Sequence, residues 1–175
     1  MMDMGPYYIT ALTYLMGRIE SVVGMTAKSF PERLFTCKEH FGETEKVEVA
    51  THLTGSMRFE SGAIGTIITS FDVKKTTLPR IEIYGEQGTL IVPDPNTFGG
   101  PVMLYRPEDG EIREMPLLFP HASNSRGLGL REMALALRDG KDDFITSSRR
   151  TFHVLDVLTS FQRSQDSGTV VHMEK

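Results

Sequence analysis

A carboxylate and a phenol stand four residues apart near the start of the chain, at Asp3 and Tyr7. In a helix, residues four apart lie on the same face, so both side chains would reach one small molecule. Either group can take up or release a proton, and the pair therefore indicates proton chemistry on a bound ligand. A structural role is open as well, with Asp3 as the helix N-cap and the tyrosines as packing residues.

The segment that carries this pair is typical of an amphipathic helix. One stripe, at i, i+4, i+7 and i+11, holds Asp3, Tyr7, Thr10 and Tyr14. The opposite face is apolar and holds Tyr8, Leu12, Leu15 and Met16, with Ile9 and Ala11 at its edges. A proline is tolerated in a first helical turn, so Pro6 places the predicted N-cap near Asp3, and Gly17 is the predicted stop. Because such a helix begins almost at residue 1, we expect the chain to be part of a longer protein.

Composition argues against several classes of protein. The 175 residues include 39% hydrophobic and 24% charged residues, and a net charge of −4 without charge runs argues against binding nucleic acid or anionic membranes. The single cysteine, Cys37, excludes an internal disulfide, and no cluster of cysteine and histidine has zinc-site spacing. No apolar run approaches the roughly 18 residues that span a bilayer and no secretory signal begins the chain, so we expect a cytoplasmic protein.

Strict alternation of apolar and polar residues over 47–60 predicts one long strand, bent or bulged near Gly55. After a turn at Gly62, residues 63–72 return as its partner. The polar face of the long strand, which includes Glu48, His52, Thr54 and Arg58, suits water or a wet subunit interface.

Shorter segments complete the predicted sheet. We expect a strand over residues 19–28, with Val23, Met25 and Ala27 on one face, and a loop over 29–44. Two hairpins follow, one joining residues 81–84 to 89–92 and one joining 102–105 to 111–115 across Asp109-Gly110.

The pattern changes to helical spacing in the last third of the chain. Apolar residues recur at i, i+3, i+4 and i+7 in Leu130, Met133, Ala134 and Leu137, and again in Val154, Val157, Leu158 and Phe161. A short strand over residues 169–173 closes the chain. This order predicts an α+β fold with one large, mostly antiparallel open sheet and helices packed on one face.

Two loops combine turn residues with polar side chains. Residues 93–100 (PDPNTFGG) form a turn-dense connection, for which hairpin punctuation is a sufficient explanation. Residues 119–127 lead into a predicted helix N-terminus, where Asn124, Arg126 and backbone N–H groups would hold a polar or anionic ligand. Helix capping and surface charge are the alternative there.

Common catalytic and nucleotide-binding motifs are absent from the sequence. Gly127-Leu128-Gly129 lacks the third glycine of the dinucleotide fingerprint and follows no predicted strand. The five histidines are scattered, and His153, beside the apolar stripe of a helix, is expected to be a satisfied structural residue.

Five short stretches, in this order, resemble the C-terminal domain of the Gfo/Idh/MocA family, named for glucose–fructose oxidoreductase, inositol dehydrogenase and a rhizopine-catabolism protein. They are residues 3–8 (DMGPYY), 62–66 (GAIGT), 81–90 (IEIYGEQGTL), 93–100 (PDPNTFGG) and 124–127 (NSRG). The resemblance implies an N-terminal Rossmann domain that binds NAD or NADP, absent here, followed by an α/β domain that supplies substrate contacts and the oligomer interface. Residues 1–175 are then that second domain.

The resemblance also implies the site residues. In the family, the first helix of this domain carries an aspartate and, four residues later, usually a histidine, both beside the substrate carbon that exchanges hydride with the nicotinamide. Asp3 matches the aspartate, whereas Tyr7 replaces the histidine. A phenol has a reference pKa near 10, against about 6.5 for imidazole, so we expect Tyr7 to orient the substrate hydroxyl while a lysine of the absent domain takes the proton. Asn124 and Arg126 are expected to line the same pocket.

We therefore expect the substrate-binding and oligomerisation domain of an NAD(P)-dependent dehydrogenase that acts on a sugar, polyol or related hydroxylated molecule. NAD or NADP would bind only the full-length protein, and this fragment alone would be inactive. Its expected partners are the substrate and a second copy, in a homodimer or higher homo-oligomer formed through the open sheet face. Two alternatives stay open, a non-catalytic dimerising scaffold and a small-molecule binding module.

Overall fold

The computed structural model describes residues 1–142 and 144–174. They fall into two compact units, Met1–Lys74 with Ser148–Lys175, and Lys75–Ser147. In chain order the helices and strands are α1 (Gly5–Met16), β1 (Ile19–Ala27), β2 (Glu32–Leu34), β3 (Thr44–Lys46), β4 (His52–Phe59), β5 (Ile64–Ser70), β6 (Ile81–Gly85), β7 (Gly88–Val92), β8 (Val102–Tyr105), β9 (Ile112–Met115), α2 (Gly127–Arg138), α3 (Ser148–Ser167) and β10 (Val171–His172).

The prediction of one large sheet is wrong, because the described strands form three sheets. One has four strands in the order β10-β1-β4-β5, one is the pair β2-β3, and one has four strands in the order β6-β7-β8-β9. All of their pairings are antiparallel, which confirms that part of the prediction. The predicted α+β class is confirmed as well. Alternation identifies a segment as a strand but carries no information about which strand it joins across a long connection.

The core of the first unit lies between its four-stranded sheet and α3. The predicted apolar stripe of α3 is confirmed, because Val154, Val157, Leu158 and Phe161 are all buried. The ring of Phe161 lies over two glycines, where a Cβ on Gly55 would come within 2.5 Å of Phe161 Cε1 and a Cβ on Gly24 within 2.8 Å of Cδ1.

The glycine at position 55 makes room for that ring. The register of β4 runs without a shift through Gly55 against β1 and β5, so the predicted bulge is wrong. The alternation of β4 itself is confirmed, with Leu53, Met57 and Phe59 buried. The predicted strand is too long at its start, because Val47–Ala50 lie outside any strand and Val49 is 71% exposed.

The segment predicted as a loop over residues 29–44 contains β2 and begins β3, which pair as a short ribbon. One carboxylate ties this ribbon to the sheet. Asp72 accepts hydrogen bonds from the hydroxyls of Ser29 and Thr51 and forms an ion pair with Arg33. The hydrogen bond from the Ser29 hydroxyl has the largest effect on the pKa of Asp72 and lowers it. Burial, the second largest effect, raises that pKa, but the Thr51 hydroxyl and the Arg33 guanidinium lower it further, so the pKa lies below its usual range.

A buried histidine joins α3 to the start of β1. His153 is 4% exposed, and its Nε2 accepts a hydrogen bond from the backbone N–H of Ile19 at 3.1 Å. The accepting nitrogen carries no proton, so the proton of the neutral ring is on Nδ1, which has no partner among the described residues. Burial, then the charge of Arg18, lower the pKa of His153, while Asp156 and Glu60 act in the opposite direction.

In the second unit, both predicted hairpins are confirmed. Thr89 pairs with Tyr84, and Leu104 pairs with both Leu90 and Arg113, which makes a continuous meander. Helix α2 follows this sheet. Ile81, Ala136 and Ser147 are the side chains classed as buried among the described residues of this unit.

Candidate functional site

Helix α1 begins one residue later than an N-cap at Asp3 would imply. Its N-cap residue is Met4, in a helical conformation and without a side-chain cap, and Pro6 lies in the first turn as predicted. Asp3 therefore does not cap the helix, and the N-cap lies one residue after Asp3, close to the predicted position. A turn through Met1–Met4 takes up the first amides instead, because the N–H of Gly5 donates to the Met1 carbonyl at 2.8 Å.

Packing against α3 decides which face of α1 meets the core. Ile9 is completely buried, although the sequence places it at the edge of the apolar face, and Leu15, predicted on that face, is 46% exposed. Close approach at Gly5 explains this rotation, because a Cβ there would lie 2.7 Å from Leu158 Cδ2.

The stripe that could do chemistry faces solvent. Asp3, Tyr7, Thr10 and Tyr14 are all exposed, with Tyr7 at 41% and Tyr14 at 62%. The carboxylate of Asp3 and the phenol of Tyr7 are thus available together, at the same end of α1, to a molecule that binds from outside the unit. Neither side chain is buried in the core, where it could not reach a ligand.

The two polar loops of the second unit come together. The guanidinium of Arg126 lies over the ring of Phe98 with its Cζ 5.8 Å from the ring centroid. Beside this contact, Gly99 approaches Ala122 so closely that a Cβ on Gly99 would lie 2.7 Å from the Ala122 Cβ. The sequence indicated both loops but not the contact between them. The available signal for that contact was the glycine pair Gly99-Gly100, which follows Phe98 and allows a close approach.

Asn124 and Arg126 lie at the start of α2. Both are exposed, and Arg126 is the N-cap residue in a helical conformation, with no side-chain hydrogen bond to the helix start among the described residues. A turn bond from the N–H of Leu128 to the Ser125 carbonyl, at 3.0 Å, precedes the helix. Simple capping therefore does not account for Asn124. Asp3 and Tyr7 belong to one unit and Asn124 and Arg126 to the other.

The uncovered face of the first unit's four-stranded sheet carries more apolar surface than the sequence suggested. Cross-strand partners on it include Val23 with Ser56 and Met25 with Thr54. Four large side chains point to this face and are 43–74% exposed, namely Val23, Met25, Ile64 and Ile68. The polar residues His52, Thr54 and Arg58 share it as predicted, whereas Glu48 lies outside the strands. The sequence of β5 already indicated an apolar outer face, since Ile67 lies on the core side of that strand and Ile64 and Ile68 lie on the other side.

The described part of the chain contains no cluster of three or more histidine, cysteine, aspartate or glutamate side chains placed to hold a metal ion. None of the helices in residues 1–142 and 144–174 has both the length and the apolar character needed to cross a membrane. A dinucleotide site of the Rossmann type needs parallel strands joined by a helix, and every described strand pair is antiparallel.

A profile of the GFO/IDH/MocA C-terminal domain matches residues 1–91, which contain α1 and the strands β1 to β6. The chain belongs to this family. No match is found among curated proteins. The match covers Asp3 and Tyr7 but not Asn124 and Arg126, so the family match gives no support to the second pair of candidate residues.

Solved structures share the fold of this GFO/IDH/MocA domain at low sequence identity. Levoglucosan dehydrogenase in its apo form matches with a TM-score of 0.73 and 16% identity, over 99% of this chain and 50% of that one. An NAD-binding oxidoreductase from Klebsiella pneumoniae matches at 0.72 and 20%, over 99% and 50%. An aldose-aldose oxidoreductase from Caulobacter crescentus, complexed with glycerol, matches at 0.70 and 19%, over 98% and 46%. The chain thus spans about half the length of these proteins.

Proposed function

We propose that residues 1–175 form the C-terminal substrate-binding and oligomerisation domain of an NAD(P)-dependent dehydrogenase that acts on a sugar, polyol or related hydroxylated molecule. The observation that carries the proposal is the family match over residues 1–91. Further support comes from levoglucosan dehydrogenase, which has the same fold and has been solved with NADH and levoglucosan and with NADH and L-sorbose.

The cofactor belongs outside this domain in our proposal. A bound nicotinamide supplies hydride transfer, and the protein around it supplies position and proton transfer. Residues 1–175 contain no complete glycine-rich fingerprint, and their described strands form no parallel pair. We therefore assign NAD or NADP to a separate nucleotide-binding half, and we expect the 175-residue chain alone to be inactive.

The chain's own residues would then bind and orient the substrate. The Asp3 carboxylate accepts a hydrogen bond from a substrate hydroxyl, and the Tyr7 phenol, four residues further along the chain, donates to or accepts from a neighbouring oxygen. Both groups are exposed at one end of α1, which is the property such a role requires. A lysine of the nucleotide-binding half serves as the base, and Asn124 and Arg126 provide further polar contacts to the substrate.

The open sheet face is our proposed subunit interface. Val23, Met25, Ile64 and Ile68 expose apolar side chains between polar ones, which is the mixture found in subunit interfaces. A second copy of the chain would cover this face in a homodimer or higher homo-oligomer.

Substitutions on α1 test the catalytic part of the proposal in a protein that carries both halves. We expect Asp3→Asn to lower kcat/KM with the best polyol or sugar by at least about 100-fold, because the amide no longer offers a charged acceptor. Tyr7→Phe should lower it by about 10-fold or more. Tyr14→Phe is the matched control, since it lies on the same stripe two turns further on, and it should leave kcat/KM within about twofold. Unchanged turnover in Asp3→Asn removes Asp3 from the mechanism.

A non-catalytic dimerising scaffold is the second candidate function, because the exposed apolar sheet face would serve it without any chemistry on α1. A small-molecule binding module is a related alternative. Calorimetry on the 175-residue chain with levoglucosan and L-sorbose distinguishes the latter, since a module binds without the other half. Nicotinamide reduction by the longer protein with any sugar or polyol excludes both alternatives, and its absence over a broad substrate panel favours the scaffold.

A further inference from the structure

Helix α2 presents an apolar stripe that the described residues leave uncovered. The stripe consists of Leu130, Met133, Ala134 and Leu137, at i, i+3, i+4 and i+7 of the helix. Leu130 is 71% exposed, Leu137 69% and Met133 36%. Such a stripe normally faces a protein core, so its exposure here marks a surface that lacks its partner.

The other side of α2 is already in use. Ala136 is 5% exposed, and its carbonyl accepts a hydrogen bond from the N–H of Lys141 at 2.8 Å in the segment that follows the helix. Near the helix start, the Thr146 hydroxyl lies 3.5 Å from the Gly129 carbonyl. The helix is thus held on one side by its own C-terminal connection. A helix of 12 residues is marginal in water without tertiary packing, so a second contact along the stripe would stabilise it.

The size of the stripe favours a tethered partner over a second copy. Its exposed side chains offer on the order of 300 Å² of apolar surface, well below the roughly 800 Å² per partner of a stable free-standing interface. A partner in the same polypeptide needs far less area, because a tether raises its effective concentration to about the millimolar range. The solved structures that share this fold are about twice as long as this chain, and each carries its additional half in one polypeptide.

The position of the stripe points to the same occupant. The helix begins directly after Asn124 and Arg126, which the proposed function places at the substrate. Hydride transfer requires the reacting atoms to come within about 3–3.5 Å, so the half that holds the nicotinamide must approach this end of α2. We propose that the stripe Leu130, Met133, Ala134 and Leu137 docks against the nucleotide-binding half of the same protein, an inference that rests on the proposed function.

Hydrogen exchange tests this inference without depending on any variant. Amide exchange over residues 128–138 is compared between the 175-residue chain and the longer protein that carries the nucleotide-binding half, at two concentrations 20-fold apart. We expect exchange in α2 to be at least 10-fold slower in the longer protein and independent of concentration. Leu130→Ser with Leu137→Ser should return it to within about twofold of the chain alone. The matched control, Ile64→Ser with Ile68→Ser on the open sheet face, should keep the slow exchange.

Several outcomes overturn the inference. Equal exchange of α2 in the two proteins shows that no half covers the stripe, and protection that disappears on dilution assigns the stripe to a second copy. A gene that encodes no nucleotide-binding half removes the occupant altogether. Binding of NADH, measured by its fluorescence in the same samples, separates this inference from the proposed function. NADH bound with α2 unprotected refutes the docking alone, whereas α2 protected without NADH binding or dehydrogenase activity refutes the proposed function alone.

Discussion

A methyl group added at Gly55 should disrupt the packing that fixes α3 on the sheet. The new Cβ would lie 2.5 Å from Phe161 Cε1 and 2.7 Å from the carbonyl oxygen of Val23. Phe161 is completely buried, so its ring has little room to move, and the carbonyl belongs to the paired strand β1. Both contacts are shorter than van der Waals separation, and at least one group must shift.

The expected cost follows from two opposing effects. Overpacking in a core costs about 1–3 kcal/mol, whereas replacing glycine by alanine in a strand recovers roughly 0.5–1 kcal/mol of backbone entropy. Because a backbone atom is among the contacts, we expect Gly55→Ala to lower the free energy of unfolding by about 2 kcal/mol. Phe161→Leu removes the ring contact but not the carbonyl contact, so the double variant should show a favourable coupling of about 1 kcal/mol.

Urea unfolding followed by circular dichroism, at one fixed protein concentration, measures these differences. Gly65→Ala is the matched control on the next strand, because its Cβ would meet only side-chain atoms, at 3.3 and 3.4 Å from Phe59 and Met57. We expect that control to change the free energy of unfolding by less than about 0.5 kcal/mol. Two results would refute the proposed clash between a Cβ at position 55 and the Phe161 ring. One is a Gly55→Ala variant as stable as the parent, and the other is no measurable coupling energy between Gly55→Ala and Phe161→Leu.

Three further predictions concern pH and assembly. Folding lowers the pKa of Asp72, so the stabilising effect of its carboxylate is complete above the pKa of the unfolded state and is lost as the pH falls below about 4. Asp72→Asn should therefore flatten the acid limb of a plot of urea midpoint against pH. Folding also lowers the pKa of His153, so the unfolded state binds the proton first and stability falls as the pH drops below about 6.5. His153→Gln, which keeps an acceptor, should remove that slope, and an unchanged slope would contradict the assignment. Ile64→Ser with Ile68→Ser should lower the sedimentation coefficient to that of a monomer without loss of helix signal, and an unchanged coefficient would place the interface elsewhere.

Much of the fold was predictable because local patterns determine it. The stripe of α3, the alternation of β4 and the two hairpins of the second unit depend on residues close in sequence, and all three are confirmed. Turns at Gly62 and Gly110 follow from their positive φ angles, which glycine adopts without strain. The same local signals missed the ribbon of β2 and β3, because it is anchored through Arg33 to Asp72, 39 residues further along the chain.

The candidate site divides in the same way. The sequence alone determined that a phenol lies in the first turn of a helix and that a carboxylate lies four residues before it, because both are properties of the local chain. Only the tertiary structure decided that this end faces solvent, since that depends on Gly5 letting α1 approach Leu158 on a helix some 150 residues later. The apolar stripe of α2 shows the opposite case. Its spacing predicts a buried face, but the stripe is exposed, because burial depends on what packs against the helix.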